Sequence, residues 1–188
     1  MGMPQAARRW TAELVRALPD DGNRYEVIAG ELFVTPAPQL IHQAAVTALV
    51  LRLHPYVGAH GLGEVFASPA DIEFDVDTLV QPDVFVAPLV AGRRPREWAE
   101  VKGLRLAIEI LSPSTARADR TVKRWLFQRQ GVPEYWIMDL EARVIEPWCP
   151  GDERPEILAE TITWLCEVGV APLVIELPEF FTEVLDER

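Results

Sequence analysis

Long runs of apolar residues mark the interior elements of this chain. Val84 to Ala87 and Leu104 to Leu111 continue apolar without helical spacing, which is typical of strands buried on both faces. Leu40 to Tyr56 is apolar on nearly every side, and its length predicts a helix that is covered on more than one face. Ala116 to Gln130 carries an apolar stripe at helical spacing and ends before Gly131, so it predicts a second helix. The pattern indicates an α/β fold in which a mixed central sheet lies between the two helices.

The N-terminal part of the chain predicts a β-hairpin. Tyr25 to Ile28 and Leu32 to Thr35 flank Ala29-Gly30, a pair that suits a tight turn between two strands. Shorter elements are predicted around these: strands at 64–67, 71–77, 134–138, 144–148 and 173–177, and helices at 11–18 and 180–185. We expect residues 1–9 to be a frayed tail and residues 1–188 to form one domain, since this length supports one full core.

Carboxylates at the apolar strands are the first candidates for chemistry. Asp83 opens one predicted strand and Glu109 lies within another, and a carboxylate there is costly to bury unless a partner binds it. Two carboxylates on successive strands would repel each other and attract a divalent cation. Lys123, on the predicted second helix, would add a positive group, and such a set suits metal-assisted phosphodiester chemistry. The alternative is a pair of strand-end acids satisfied by backbone donors or arginines.

Five short motifs, in order along the chain, resemble those of one known family. They are Arg24 to Leu32, Pro36 to Pro38, Gln81 to Asp83, Glu109 to Ser114, and Gly131 to Trp136. On these residues the chain resembles the Uma-two family of restriction-endonuclease-like proteins, a branch of the PD-(D/E)xK nuclease superfamily. The resemblance extends over about residues 10 to 180. It implies a restriction-endonuclease-like fold: a mixed central β-sheet flanked by helices, with an N-terminal β-hairpin.

The resemblance also implies a metal-dependent active site. Asp83, Glu109 and the backbone carbonyl of Ile110 would hold Mg²⁺ or Mn²⁺, ions that prefer oxygen ligands. The superfamily pattern places a lysine two residues after the glutamate, where this chain has a leucine. Lys123 takes the place of that lysine if the helix runs back beside the strand, and the family pattern has a helix lysine there. The alternative for Lys123 is a surface ion pair with Asp119, four residues earlier on the helix.

Four further residues are candidates for the site. Glu31 matches a glutamate of the family's opening motif and would add another acid; the alternative is a hairpin-end carboxylate in water. His42 opens the long helix, where a lone histidine is more often a capping or packed residue than a ligand or base. Arg120 and Arg124 are candidate substrate-binding residues, because they flank Lys123 on the predicted helix.

The distribution of charge along the chain indicates which partners it could bind. The formal net charge of −11 argues against avid nonspecific binding of nucleic acid. Between Arg93 and Arg129, however, ten lysines and arginines face only four acids. This basic window surrounds Glu109 and Lys123, so it could guide a phosphate-bearing substrate to them. The alternative is a solvated face of mixed charge.

Several functional classes are excluded or unsupported by the pattern. The chain has no apolar run long enough to span a bilayer, and no apolar signal core follows Arg8-Arg9, so we expect neither export nor a membrane. Cys149 and Cys166 have no framework or paired-ligand spacing, which predicts a reduced, cytoplasmic protein. Gly-rich phosphate loops and nucleophile elbows are likewise missing.

The sequence therefore predicts a metal-dependent endonuclease that hydrolyses phosphodiester bonds in nucleic acid, most simply in DNA. Two alternatives stay open: a noncatalytic binding or regulatory protein that keeps the nuclease fold, and a metal-dependent hydrolase of a small phosphorylated substrate. The long helix has more apolar surface than one sheet face covers, so we also expect a homodimer.

Overall fold

The computed structural model describes residues 9–186, which form five helices and eleven strands. The helices are α1 (Ala12–Arg16), α2 (Leu40–Ala59), α3 (Ala116–Ala118), α4 (Arg124–Arg129) and α5 (Leu177–Val184). A π-helical turn, Asp119–Lys123, joins α3 to α4, and Trp98–Glu100 is a short 3-10 turn. The strands are β1 (Arg24–Ile28), β2 (Glu31–Thr35), β3 (Glu64–Ala67), β4 (Ile72–Asp75), β5 (Thr78–Val80), β6 (Val84–Ala87), β7 (Leu106–Ile110), β8 (Glu134–Asp139), β9 (Val144–Trp148), β10 (Thr161–Trp164) and β11 (Leu173–Glu176).

A mixed five-stranded sheet lies at the centre of the fold, as the sequence predicts. Its order is β3-β6-β7-β8-β9; β7 and β8 run parallel, and the other neighbours are antiparallel. Every residue of β6 and β7 is buried, which explains their unbroken apolar sequence. Val84 pairs with Ile108, so the start of β6, preceded by Asp83, lies beside the end of β7, which carries Glu109.

The N-terminal hairpin belongs to a second sheet, with the order β2-β1-β5-β4. Ile28 pairs with Glu31 across the turn, which confirms the predicted hairpin. Ala29 and Gly30 both have positive φ angles, 51° and 83°, as a two-residue turn between twisted strands requires. The sheet brings β1, and with it Arg24 and Glu26, towards the central sheet.

Helices α2 and α5 cover one face of the central sheet. Leu49 and Leu53 of α2 share a buried apolar cluster with Trp136 of β8 and with Phe180 and Phe181 of α5. The antiparallel strands β10 and β11 pack against this layer, and their buried residues Ile162, Trp164 and Ile175 belong to the same cluster. Helix α2 contacts both the central sheet and α5. Burial on these two sides largely explains why α2 is apolar on nearly every side.

The opposite face of the central sheet is covered by α4 and by the four-stranded sheet. Leu126 and Phe127 of α4 pack in one cluster with Tyr135 of β8 and with Ile28 and Val80 of the second sheet. The rings of Phe127 and Tyr135 lie 4.7 Å apart between centroids. The predicted placement of the two helices on opposite faces is therefore confirmed.

The structure also differs from the sequence expectations in several places. The apolar pattern predicts neither β5 nor β10, because three or four residues are too few to establish a period. Of the predicted tail, residues 1–8 lie outside the described range, and Arg9 is not frayed, since its Nη2 pairs with Asp77 Oδ2 at 2.8 Å. One domain over residues 1–188 stays a prediction. Within residues 9–186, no helix is both long and apolar enough to cross a membrane.

Candidate active site

Asp83 is held by three donors at the start of β6. Its Oδ1 accepts from Arg24 Nη1 at 2.6 Å, while Oδ2 accepts from His42 Nε2 at 2.9 Å and from the backbone N–H of Ile110 at 2.8 Å. Burial raises the pKa of Asp83, but the hydrogen bond from His42 and the charge of Arg24 lower it to about 2. Asp83 is thus an ionised carboxylate that can only accept, so His42 Nε2 carries a proton.

Lys123 lies inside a ring of three carboxylates. Its Nζ is 2.8 Å from Glu26 Oε2, 2.9 Å from Glu109 Oε1 and 3.6 Å from Asp119 Oδ1. Its side chain is 3% exposed, and those of the three acids are at most 2% exposed. The ion pair with Asp119 is therefore buried, and the alternative of a solvated surface pair is wrong. The helix does run back beside the strand, as the expected role of Lys123 requires.

Lys123 and Glu109 both have raised pKa values, but for different reasons. Burial lowers the pKa of Lys123, but Glu109, Glu26 and Asp119 raise it further, to well above its usual value. Burial is the largest cause of the raised pKa of Glu109; the charge of Lys123 opposes it, and the carboxylates of Asp83, Asp119 and Glu26 add to it. Lys123 is consequently a permanent cation here, whereas Glu109 binds a proton more readily than a solvated glutamate does.

The π-helical turn places both Asp119 and Lys123 on the buried side of the helix. The two residues are the buried members of that five-residue turn, and such turns are rare and frequent at functional sites. The Tyr135 hydroxyl donates to the Asp119 carbonyl at 3.1 Å, which ties the turn to β8. Burial raises the pKa of Asp119, with Lys123 and the nearby Thr115 hydroxyl opposing it. Neither carboxylate oxygen of Asp119 receives a well-formed hydrogen bond.

The site carries more negative than positive charge. Four buried carboxylates lie with two permanent cations: Glu26, Asp83, Glu109 and Asp119, against Arg24 and Lys123. A buried excess of this kind is costly unless protons or a cation balance it. Burial and the neighbouring acids raise the pKa of Glu109, and among residues 9–186 both carboxylate oxygens of Asp119 lack a hydrogen-bond donor. A divalent cation would supply the missing charge.

The predicted donor set fits Mg²⁺ or Mn²⁺ by its chemistry. Among residues 9–186, no three His, Cys, Asp or Glu side chains converge where a metal ion could be held. Mg²⁺ keeps several waters, however, and often takes only one or two carboxylates from the protein. The N–H of Ile110 points at Asp83, and in a strand the carbonyl of the same residue points to the same side. Asp83, Glu109 and this carbonyl are hard oxygen donors that come together where the start of β6 lies beside the end of β7.

A cleft of about 690 Å³ opens beside the carboxylates. Arg24 and His42, which both contact Asp83, lie on its wall together with the Pro36–Pro38 segment after β2. The Ser112–Thr115 segment after β7 lies on the wall as well, and its hydroxyls bond to one another. The cleft thus leads from solvent towards the buried acids, at the site where three of the five sequence motifs meet.

The additional acid of the site is Glu26, where the sequence analysis points to Glu31. Glu31 is exposed at the start of β2 and does not join the carboxylate ring, so the expectation that it supplies a further acid is wrong for this structure. Glu26, on β1, supplies that acid instead; its Oε1 accepts from the backbone N–H of Gln81 at 2.7 Å. Glu26 could have been identified from the sequence, because it directly precedes the apolar pair Val27-Ile28 in a predicted strand. Glu109 is recognised in the same way, as a carboxylate next to apolar strand residues.

The two candidate arginines have different surroundings. Arg120 lines the cleft, but its guanidinium is bound by Asp139 and Glu146 at 3.0 and 2.6 Å. Arg124 stacks on Trp125 and Trp148, with its guanidinium carbon 4.4 and 4.6 Å from the ring centroids, and it is absent from the cleft wall. Arg24 was not a sequence candidate, because one arginine before a tyrosine in a hairpin carries no chemical signal of its own.

Several cations of the basic window pair with acids from other parts of the chain. Arg93 pairs with Glu100, Arg94 with Glu64, and Arg105 with Glu167. With Lys123 and Arg120 also paired, half of its ten cations are bound to acids. The interpretation as a face of mixed charge fits these pairs better than that of a guiding surface.

Comparisons with known proteins agree with this fold. The Uma2 family model, described as "Putative restriction endonuclease" and corresponding to the family that the five motifs resemble, matches residues 12–176. Among solved structures, the chain is similar to a protein of Anabaena variabilis ATCC 29413 described as a putative nuclease belonging to DUF820. The TM-score is 0.74 at 21% identity, over 93% of this chain and 99% of the other; at that identity the likeness shows a shared fold. No curated protein matches the chain.

Proposed function

The chain belongs to the Uma2 family, and from this premise we propose that it is a metal-dependent endonuclease acting on nucleic acid, with DNA as the first substrate to test. The observation that carries the proposal is the buried cluster in which Glu109 pairs with Lys123 at 2.9 Å and interacts electrostatically with Asp83, while the pKa of Lys123 is raised. This composition of carboxylates and one fixed cation, next to an open cleft, suits phosphodiester hydrolysis.

Asp83, Glu109 and the Ile110 carbonyl are the groups that would hold Mg²⁺ or Mn²⁺. When bound, such an ion supplies a water of lowered pKa and positive charge for the phosphate. In the hydrolysis a water oxygen adds to phosphorus, the bond from phosphorus to the leaving oxygen breaks, and that oxygen takes a proton. Lys123 adds fixed positive charge where the phosphate oxygens become more negative. Because its pKa is raised, the role of charge stabilisation or water orientation is favoured over that of a base.

One observation favours the alternative of a small phosphorylated substrate. The cleft of about 690 Å³ falls in the usual range of small-molecule sites, roughly 300–1,000 Å³, and the acidic surface and paired basic window do little to attract long nucleic acid. A noncatalytic protein that keeps the fold would share these features. The substrates in the following experiment separate the three cases.

The experiment compares wild type with Glu109→Gln, which keeps the shape of the side chain and removes its charge. We expect Glu109→Gln to weaken Mn²⁺ binding in calorimetry and to reduce cleavage of single- or double-stranded DNA by roughly a hundredfold or more at low salt. Glu31→Gln is the matched control, because Glu31 is an exposed glutamate outside the cluster, and it should behave as wild type.

The outcomes point to different conclusions. Equal Mn²⁺ affinity in wild type and Glu109→Gln would show that the metal site is misassigned. Metal binding without cleavage of any nucleic acid would favour the noncatalytic protein, and metal-dependent release of phosphate from a nucleotide alone would favour the small-substrate hydrolase.

Two further parts of the proposal concern the setting of the protein. We place it in the cytoplasm, in keeping with Cys149 and Cys166, which are both free thiols. We also propose that it acts as a homodimer, since Leu40 and Leu51 of α2 remain 88% and 65% exposed, and apolar side chains of this size on one helix favour a protein contact.

A further inference from the structure

We propose that Arg24 binds a phosphate group of the substrate in the cleft, with Asp83 holding its guanidinium in place. The inference rests on the proposed function and adds a substrate contact that the carboxylate cluster does not supply. Arg24 lies on β1 of the second sheet, its side chain is 15% exposed, and it forms part of the cleft wall.

The guanidinium of Arg24 is largely unused by the protein. It carries five N–H donors, and among residues 9–186 its one hydrogen bond is that from Nη1 to Asp83 Oδ1. Nε is buried, and the described part of the chain offers it no acceptor. Leaving a buried donor of a charged group unsatisfied is destabilising, so the arrangement is poor for stability alone. An anion entering from the cleft would satisfy it.

Asp83 fixes the orientation that such binding requires. Because one N–H is held by an ionised, buried carboxylate, the planar guanidinium cannot turn freely, and its remaining donors keep the fork geometry that matches phosphate oxygens. Burial lowers the pKa of Arg24, but Asp83 and Glu109 raise it more, so the group stays charged while it is shielded from water.

The other polar groups of the wall strengthen the assignment to Arg24. Arg120, the second arginine on the wall, is already neutralised by Asp139 and Glu146. The Ser112–Thr115 segment contributes hydroxyl groups, which can donate, to the same cleft. A phosphate group therefore meets one charged group with free N–H donors and several hydroxyl groups.

Binding of two small probes tests the proposal. In metal-free buffer with chelator, calorimetry would measure the affinity of wild type for the dinucleotide TpT, which has one internal phosphodiester, and for thymidine 5′-monophosphate, which has a terminal phosphate. We expect Arg24→Gln to weaken the preferred probe at least about tenfold, the loss of one charge-assisted contact. Preference for TpT would indicate an internal phosphate, and preference for the monophosphate a terminal one.

Two controls separate binding from folding. Arg24→Lys keeps the positive charge for Asp83 but lacks the fork, so it should fold as wild type and bind with intermediate affinity. Arg117→Gln removes an exposed arginine of α3 and should bind both probes as wild type. Melting temperatures of all variants identify any that fail to fold, and Arg24→Lys then decides the test.

The proposal is overturned if wild type binds neither probe, or if folded Arg24→Gln and Arg24→Lys bind both as wild type does. Its failure is distinct from that of the nuclease function. DNA cleavage by wild type together with unchanged probe binding in the Arg24 variants would remove the phosphate contact and leave the nuclease. Probe binding that depends on Arg24, in a protein that cleaves no nucleic acid, would support the phosphate contact and contradict the nuclease function.

Discussion

At the scale of residues, Lys123 has more partners than its sequence neighbours suggest. Asp119 is the one partner that helical spacing predicts, but Glu26 and Glu109 are closer to its Nζ, at 2.8 and 2.9 Å. Glu26 and Glu109 come from strands of two different sheets. An amine with such partners acts as a structural cation as well as a candidate catalytic group, which changes what its removal should do.

We therefore predict that Lys123→Met lowers the free energy of unfolding by about 3–5 kcal/mol, the cost of leaving buried charges without their counter-ion. Urea unfolding followed by circular dichroism measures it. Lys102→Met is the control, since Lys102 is exposed and should change stability little. Unfolding curves that coincide for wild type and Lys123→Met would contradict the charge ring. Because Lys123→Met changes stability, Glu109→Gln, which keeps the shape of the side chain, is the better variant for testing catalysis.

At the scale of elements, the β1–β2 hairpin positions two residues of the site. Arg24 and Glu26 lie on β1, and the turn at Ala29-Gly30 is fastened to the β4–β5 turn by bonds from Ala29 N–H to Thr78 Oγ1 and from Gly30 N–H to the Asp77 carbonyl. The turn geometry requires two left-handed residues, and Ala29 meets this requirement at φ 51° with some strain, because its Cβ disfavours that region.

The strain at Ala29 leads to a prediction. Ala29→Asn should stabilise the protein by about 0.5–1 kcal/mol, because asparagine tolerates the left-handed conformation and is preferred at this turn position. Thermal or urea unfolding measures the gain. Ala17→Asn is the control: Ala17 is also exposed but has φ −84°, so no gain is expected there. A loss of stability in Ala29→Asn would argue against this turn.

At the scale of the whole molecule, the outer side of α2 is the surface most suited to a second copy. Leu40, Ala44 and Leu51 line a shallow apolar depression together with Val184 of α5. The inner side of the same helix already packs on the central sheet, which leaves this outer side as the excess apolar surface that the sequence indicates.

We predict a homodimer through this surface, and Leu51→Glu should convert it to a monomer. Light scattering at micromolar concentration reports the mass. Val76→Glu is the matched control, because Val76 is equally exposed, at 65%, but lies in the turn after β4. A monomeric wild type would count against the dimer, and a dimer that survives Leu51→Glu would place the contact elsewhere.

The main elements and two of the acids can be predicted without any tertiary contact. The buried strands β6 and β7 and the helix α2 follow from uninterrupted apolar runs, since burial on both faces removes the polar positions. Asp83 and Glu109 stand out because a carboxylate in or beside such a run needs a partner. The family also followed from five ordered motifs, which no tertiary contact is needed to detect.

The residues that surround those acids follow from the packing of the two sheets and the helix, and no local pattern identifies them. Glu26 joins the site and Glu31 does not, because the packing of the second sheet against the first determines which side of β1 is buried, and hairpin periodicity alone leaves this choice open. The pairing of the basic window with distant acids and the free donors of Arg24 likewise depend on contacts between residues far apart in sequence. Local patterns encode burial and period, whereas charge partners are set by how separate elements pack together.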